Sequence, residues 1–191
     1  GSADEIDVQA RQVTYSDVHG TQGQLTFDRL VLAAGSRLIR PALEGMIEHA
    51  FDVDQIETAT LLETHIKSLK NRPVSAARNT VVVAGGGFTG IETATEMPAR
   101  LRAALGDDAD IRVIVVDRGP QIAASMGDGI RPAIIEGCEH LGIEWVLNAT
   151  VASVDASGVT LADGQRIDSS TVIWTVGFRA SPLTEQIAAT R

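Results

Sequence analysis

Apolar positions along this chain change their spacing in steps, and each step predicts an element. Residues 6–34 read as strands: IDVQARQVTY, a turn at HGTQG, then QLTFD, then the unbroken apolar run LVLAA closed by Gly35. Between residues 54 and 70 the period becomes helical and places Ile56, Ala59, Leu62, Ile66 and Leu69 on one face. Asp54 is the expected cap of that helix, Glu57 completes a box-like start, and Pro73 ends it. NTVVVA then reads as a strand, GGG as a turn, and TGIETATEMPARLRAAL as a helix from about Thr89. Pro98 removes one helical hydrogen bond, so a kink or a break is expected there. The strand IRVIVVD ends at Asp117, a helix covers residues 129–140, and Gly142 leads into the strand IEWVLN. Short strands turned at Ser157 and Gly158 and at Asp163 and Gly164 form a hairpin or meander before TVIWTVG.

Strand, helix, strand, helix, strand is the signature of a right-handed parallel α/β unit. The fold class expected is therefore α/β, a Rossmann-like parallel sheet with helices and a β-meander. The chain also repeats itself: VTYSDVHGTQGQLTFDRLVLAAGSR at residues 13–37 resembles VTLADGQRIDSSTVIWTVGFR at residues 159–179. The second copy closes a unit that opens with a glycine turn. By parity the first closes a similar unit whose opening lies before residue 1, so the chain reads as the middle of a longer protein with two nucleotide-binding domains.

Composition narrows the partners. With 44% hydrophobic and 21% charged residues the chain is a folded globular protein. A net charge of -9 without a Lys/Arg cluster argues against nucleic acid. The longest apolar runs are strand-sized and no signal peptide is visible, so a cytoplasmic location is expected. Cys138 is the sole cysteine, which excludes an internal disulfide and is expected to be a buried structural thiol. His19, His49, His65 and His140 have no ligand spacing, and no metal site is expected.

The chemistry concentrates in VVVAGGGFTG. Gly85, Gly87 and Gly90 form a GxGxxG pattern with Gly86 as an extra glycine inside it. The first permits a tight turn out of the strand, the second lets a pyrophosphate approach the backbone, and the third lets helix and strand pack closely. Free N–H groups at the positive end of the helix would meet the phosphates. Asp117 lies 30 residues after Gly87, beyond the usual spacing, and the insert GDDAD accounts for the excess. A carboxylate there accepts from ribose hydroxyls and repels a 2'-phosphate, favouring NAD over NADP, whereas the adjacent Arg118 could pair with that phosphate. Without a ligand, Asp117 is simply a solvated strand end. Glu92 either complements the helix dipole or faces the far end of a dinucleotide. Gly177 reads equally as a strand terminator or as part of the ligand-binding edge. No Ser-His-Asp, Cys-His or paired-carboxylate constellation stands out, so binding and orientation are the expected contributions of this chain.

TFDRLVLAAGSR, VVVAGGGFTGIETATEM and DSSTVIWTVGFRASPL, in this order and spacing, resemble the pyridine nucleotide-disulfide oxidoreductases, flavoproteins that bind two dinucleotides. Within them the look is nearest to type II NADH dehydrogenases and related NADH:quinone reductases, and it runs from about residue 6 to residue 187. The resemblance implies an NADH domain inserted into an FAD domain. Residues 1–40 would be a β-rich remnant of the FAD domain, 41–77 a linker and helix, 78–182 the NAD(H) domain, and 183–191 the start of the return. It places Gly85, Gly86, Gly87, Phe88, Thr89 and Gly90 at the pyrophosphate and Asp117, with Arg118 beside it, at the adenosine ribose. Glu92 and Gly177 would lie near the nicotinamide, and Ala34 and Gly35 on the FAD side. The implied activity is hydride transfer from NAD(P)H to FAD, with electrons passed to a quinone or another acceptor. A peripheral contact at the inner face of the cell membrane, or a homodimer, would involve parts outside this chain.

The sequence also departs from the family. The FAD domain's own glycine motif, its later Gly-Asp segment and a quinone-facing C-terminal helix do not occur in it, so the chain is expected to hold FAD poorly and to turn over little alone. A Rossmann module that senses NAD(H) without catalysis is the alternative, but it leaves the repeated segments unexplained. A methyltransferase-like nucleoside binder is a third reading, and it usually lacks the phosphate cradle.

Overall fold

The computed structural model describes residues 1–188, which divide into two compact units, Gly1–Ile39 with the chain from Phe178 onward, and Arg40–Gly177. The first unit opens with strands β1 (Ser2–Asp7), β2 (Gln12–Ser16) and β3 (Gln22–Thr26), an antiparallel meander in that order, followed by β4 (Ser36–Leu38). IDVQARQVTY is thus two strands rather than the single one expected. The Asp7 carboxylate accepts from the N–H groups of Gln9 and Ala10 at 2.9 and 2.8 Å, and Arg11 takes φ 54°. Such an Asx-type turn folds the chain back before Gln12.

The apolar run at residues 30–34 forms no strand, contrary to expectation, and Val31 is 87% exposed. Apolar residues without alternation suit a strand buried on both faces between two neighbours. Among the described residues nothing pairs with this run.

The second unit contains α1 (Met46–His49), β5 (Ala50–Phe51), α2 (Ile56–Ser68), α3 (Ala76–Asn79), β6 (Thr80–Ala84), α4 (Phe88–Leu105) and β7 (Arg112–Val116). It continues through α5 (Arg131–His140), β8 (Ile143–Val146), β9 (Val151–Asp155), β10 (Gly158–Leu161), β11 (Arg166–Asp168) and β12 (Thr171–Trp174). The chain then re-enters the first unit, where β13 (Phe178–Ala180) pairs antiparallel with β4 and α6 (Leu183–Ala188) follows.

Five strands form a parallel sheet in the order β5-β12-β6-β7-β8, and β9, β10 and β11 form the meander read from the sequence. Val81, Val82 and Val83 are all fully buried, because both faces of the sheet are covered. Val81, Val83, Val113, Val115 and Ile173 pack in one cluster with Leu62, Ile66 and Leu69 and with Ile91, Ala94, Met97 and Leu101. Each such valine contributes about 1.5–3 kcal/mol through burial.

Helix α2 starts one residue later than expected. Its N-cap is Gln55, whose N–H donates to Thr58 Oγ1 at 3.2 Å, so the box is formed by Gln55 and Thr58 instead of Asp54 and Glu57. Ile56, placed on the buried face by periodicity, is 78% exposed, whereas Leu62 and Ile66 further along that face are buried. Helix α4 runs through Pro98 without a break. The proline is itself buried, as are its neighbours Met97 and Leu101, and burial offsets the lost hydrogen bond. Cys138 is buried in α5, and burial pushes its thiol pKa up.

Candidate functional site

Three segments meet at the carboxyl edge of the parallel sheet: the glycine turn after β6, Asp117 after β7, and residues 175–177 after β12. In the sheet the chain steps outward from β6 to β7 and β8 and then crosses back to β12 on the other side of β6, which reverses the strand order between β6 and β12. Ligands of open α/β sheets bind in the crevice that such a reversal creates.

Steric necessity explains two of the glycines. Gly85 has φ 116° and its N–H donates to Val116 O at 2.8 Å, tying the turn to β7. A Cβ there would lie 2.7 Å from Val176 Cγ2 and 2.8 Å from Thr175 Oγ1. At Gly90 it would lie 1.9 Å from Gly85 O, so the first turn of α4 can pack on the loop only without a side chain. Gly87 is different. It has an ordinary φ of -81°, and a Cβ there meets nothing within 4 Å. The absent side chain leaves open space beside the helix N-terminus.

Gly87 is the N-cap of α4, no side chain caps the helix, and no acidic residue lies in its first turn. The unpaired N–H groups of that turn and the helix dipole therefore retain their affinity for an anion. An exposed site of this shape fits the pyrophosphate of a dinucleotide. No comparable cradle for a second dinucleotide is formed among the described residues, and Ala34 and Gly35, assigned to FAD, are exposed in the first unit.

The Asp117 carboxylate is half-buried and doubly held. Oδ2 accepts from Gly86 N–H at 2.5 Å and Oδ1 from Gly119 N–H at 2.6 Å. A Cβ on Gly86 would lie 3.0 Å from Trp145 Cζ3 and 3.1 Å from Asp117 Cγ. The extra glycine inside the motif thus permits Asp117 and Trp145 to close on the loop.

Of the residues singled out from sequence, Gly85, Gly86, Gly87, Phe88, Thr89, Gly90 and Asp117 are brought to this edge. Phe88, Glu92, Arg118 and Gly177 are exposed, Glu92 one turn into α4 and Gly177 at the end of the second unit with φ 84°. Sequence reasoning missed Thr175. Its buried hydroxyl donates to Ala84 O at 2.8 Å while its own N–H donates to the same oxygen at 2.9 Å, locking the end of β12 to the glycine turn. Trp174 Nε1 donates to Val176 O at 2.9 Å and fixes the bend that follows. A threonine directly after the apolar TVIW was the available signal. Among the described residues no group of three or more His, Cys, Asp or Glu could hold a metal, and no helix is long and apolar enough to cross a membrane.

Comparison with known proteins gives the same direction. The sequence matches the pyridine nucleotide-disulphide oxidoreductase family over residues 1–190. It is 44% identical over 188 residues to an NADH dehydrogenase-like protein of Mycobacterium tuberculosis, covering 97% of this chain and 46% of the relative. It is 32% identical to a demethylphylloquinone reductase of Synechocystis, covering 96% of this chain and 44% of that protein. The fold is similar to that of NDH2 from Plasmodium falciparum, solved in complex with NADH, with a TM-score of 0.74 and 17% identity over 96% of this chain and 41% of that one. The chain spans somewhat less than half the length of the relatives it matches.

Proposed function

Because the chain belongs to the pyridine nucleotide-disulphide oxidoreductase family, we propose that it is the NADH-binding portion of an FAD-dependent oxidoreductase. The observation that carries this reading is the uncapped N-terminus of α4 behind Gly87, open at the switch point of a parallel sheet. In this reading the first turn of α4 holds the pyrophosphate, with Phe88 and Thr89 bordering it. Asp117 accepts from the adenosine ribose hydroxyls, which favours NADH over NADPH. Glu92 and Gly177 lie toward the nicotinamide, whose hydride must reach a flavin.

FAD, bound by the remainder of the protein, supplies two-electron acceptance and onward transfer. Electrons then pass to a quinone or another acceptor. The name of the Synechocystis relative, a demethylphylloquinone reductase, supports this destination. The residues of this chain bind and orient the donor, with Ala34 and Gly35 on the FAD side. The protein works in the cytoplasm, with a peripheral contact to the membrane through parts outside this chain.

Calorimetric titration of the chain with NADH and with NADPH tests the site. Weak but measurable NADH binding, tighter than that of NADPH, is expected, together with negligible NADH oxidation in the absence of added flavin. Binding of neither dinucleotide, or robust oxidation without flavin, overturns the reading.

A further inference from the structure

The pattern GxGxxG does not call for glycine at position 86, yet a glycine stands there. Its surroundings give the reason. The buried Gly86 N–H donates to Asp117 Oδ2 at 2.5 Å, and Asp117 Oδ1 accepts from Gly119 N–H at 2.6 Å. A Cβ at 86 would press on both Asp117 and Trp145. One carboxylate therefore gathers two backbone donors from two loops, the glycine turn after β6 and the turn after β7.

We propose that Asp117 is a positioning residue that holds the glycine turn in its phosphate-binding shape, in addition to any contact it makes with a ribose. This rests on the reading of the turn as a dinucleotide site given above. Each carboxylate oxygen has a second lone pair, so the clamp and a ribose hydroxyl can be served together. The consequence concerns specificity. If Asp117 acted on the ribose alone, its removal would weaken NADH and relieve the repulsion of the NADPH 2'-phosphate, the more so with Arg118 exposed next to it. A clamp predicts a different outcome, because loss of the carboxylate strands two N–H donors and loosens the turn that both dinucleotides use.

Asparagine is an informative replacement. Its single acceptor oxygen can serve only one of the two donors, and its NH2 group faces the other. The test is made on the 191-residue chain as wild type, Asp117→Asn and Asp117→Ala, with amide hydrogen exchange and calorimetry. Exchange is measured without ligand, so it reports on the clamp even if no dinucleotide binds. Slow exchange at Gly86 and Gly119 in the wild type is expected. It is lost at one of the two amides in Asp117→Asn and at both in Asp117→Ala, with melting retained as a check on folding. NADH and NADPH affinities are expected to fall together, by about tenfold or more in Asp117→Ala.

Unchanged exchange at Gly86 in Asp117→Ala overturns the proposal, as does NADPH binding that holds or improves while NADH binding falls. If the wild type binds neither dinucleotide, the functional reading of the site fails, and exchange alone decides whether the clamp exists.

Discussion

Replacing Gly87 and Gly90 in turn by alanine separates the two uses of glycine in the turn. At Gly90 the new Cβ would lie 1.9 Å from Gly85 O and 2.8 Å from Thr175 Oγ1. Neither neighbour can yield freely, since one is backbone and the other is hydrogen-bonded to Ala84 O at 2.8 Å. Alanine gains about 1 kcal/mol of helix propensity, but forcing the turn apart costs more than the usual 1–3 kcal/mol of an overpacked core. A net loss of about 2 kcal/mol lowers the melting temperature by about 4–8 °C in a chain of this size. At Gly87 the Cβ meets nothing within 4 Å and the φ of -81° suits alanine. The weaker N-cap costs up to about 1 kcal/mol, and the stiffer unfolded chain returns about 0.4–1 kcal/mol. Stability should therefore change little. The methyl group instead fills the space assigned to the pyrophosphate, and about 1–3 kcal/mol of crowding corresponds to roughly 5- to 150-fold weaker NADH binding. Thermal melts and calorimetric titration of both variants supply the readout. A Gly87→Ala chain that melts as low as Gly90→Ala, or that binds NADH like the wild type, refutes the division of roles.

Two further outcomes follow from the same structure. Thr175→Val removes the hydroxyl from Ala84 O but leaves the Thr175 N–H bond at 2.9 Å, so no carbonyl is stranded. The cost should be about 1 kcal/mol, read as about 2–4 °C in the melting temperature, and a neutral variant would mean that the hydroxyl does not lock the turn. His65 stacks near Phe51 at 4.4 Å and its Nε2 lies 2.9 Å from Thr171 Oγ1. Burial, and then the positive charge of Arg72, hold its pKa below the ordinary 6.5. The unfolded chain consequently takes up this proton first. The stability contribution is complete above the ordinary value and is lost as pH falls toward the folded one. Melting temperatures compared at about pH 7.5 and about pH 5.5 should show a drop in the wild type that His65→Gln reduces. An equal drop in both would remove His65 as its cause. The carboxylates with lowered pKa, such as Asp52 and Glu144, act only below about pH 4.5 and do not enter this window.

The amino-acid sequence by itself determined the parallel unit and its glycine turn. Valine runs bounded by glycine, a helical period after the turn and an aspartate closing the next strand are local patterns, and the chain follows each of them at β6, α4 and β7. The meander was equally legible, since its turns are written in Gly158 and Gly164, both with positive φ. Tertiary structure decided the rest. TVIW and LVLAA look alike as apolar runs, yet the first is a buried strand because β5 and β6 flank it, and the second pairs with nothing described. Strand formation depends on partners, which no local pattern supplies. IDVQARQVTY broke in two because the Asp7 carboxylate bonded its own neighbours. Gln55 displaced Asp54 as helix cap, and Ile56 was left outside the core. At the site, spacing nominated Gly86 and Asp117 as residue types only and left Thr175 unmarked. Hydrogen bonds reaching from Asp117 to Gly86 and from Thr175 to Ala84 join segments distant in the chain, and only the packed sheet brings those atoms within reach of one another.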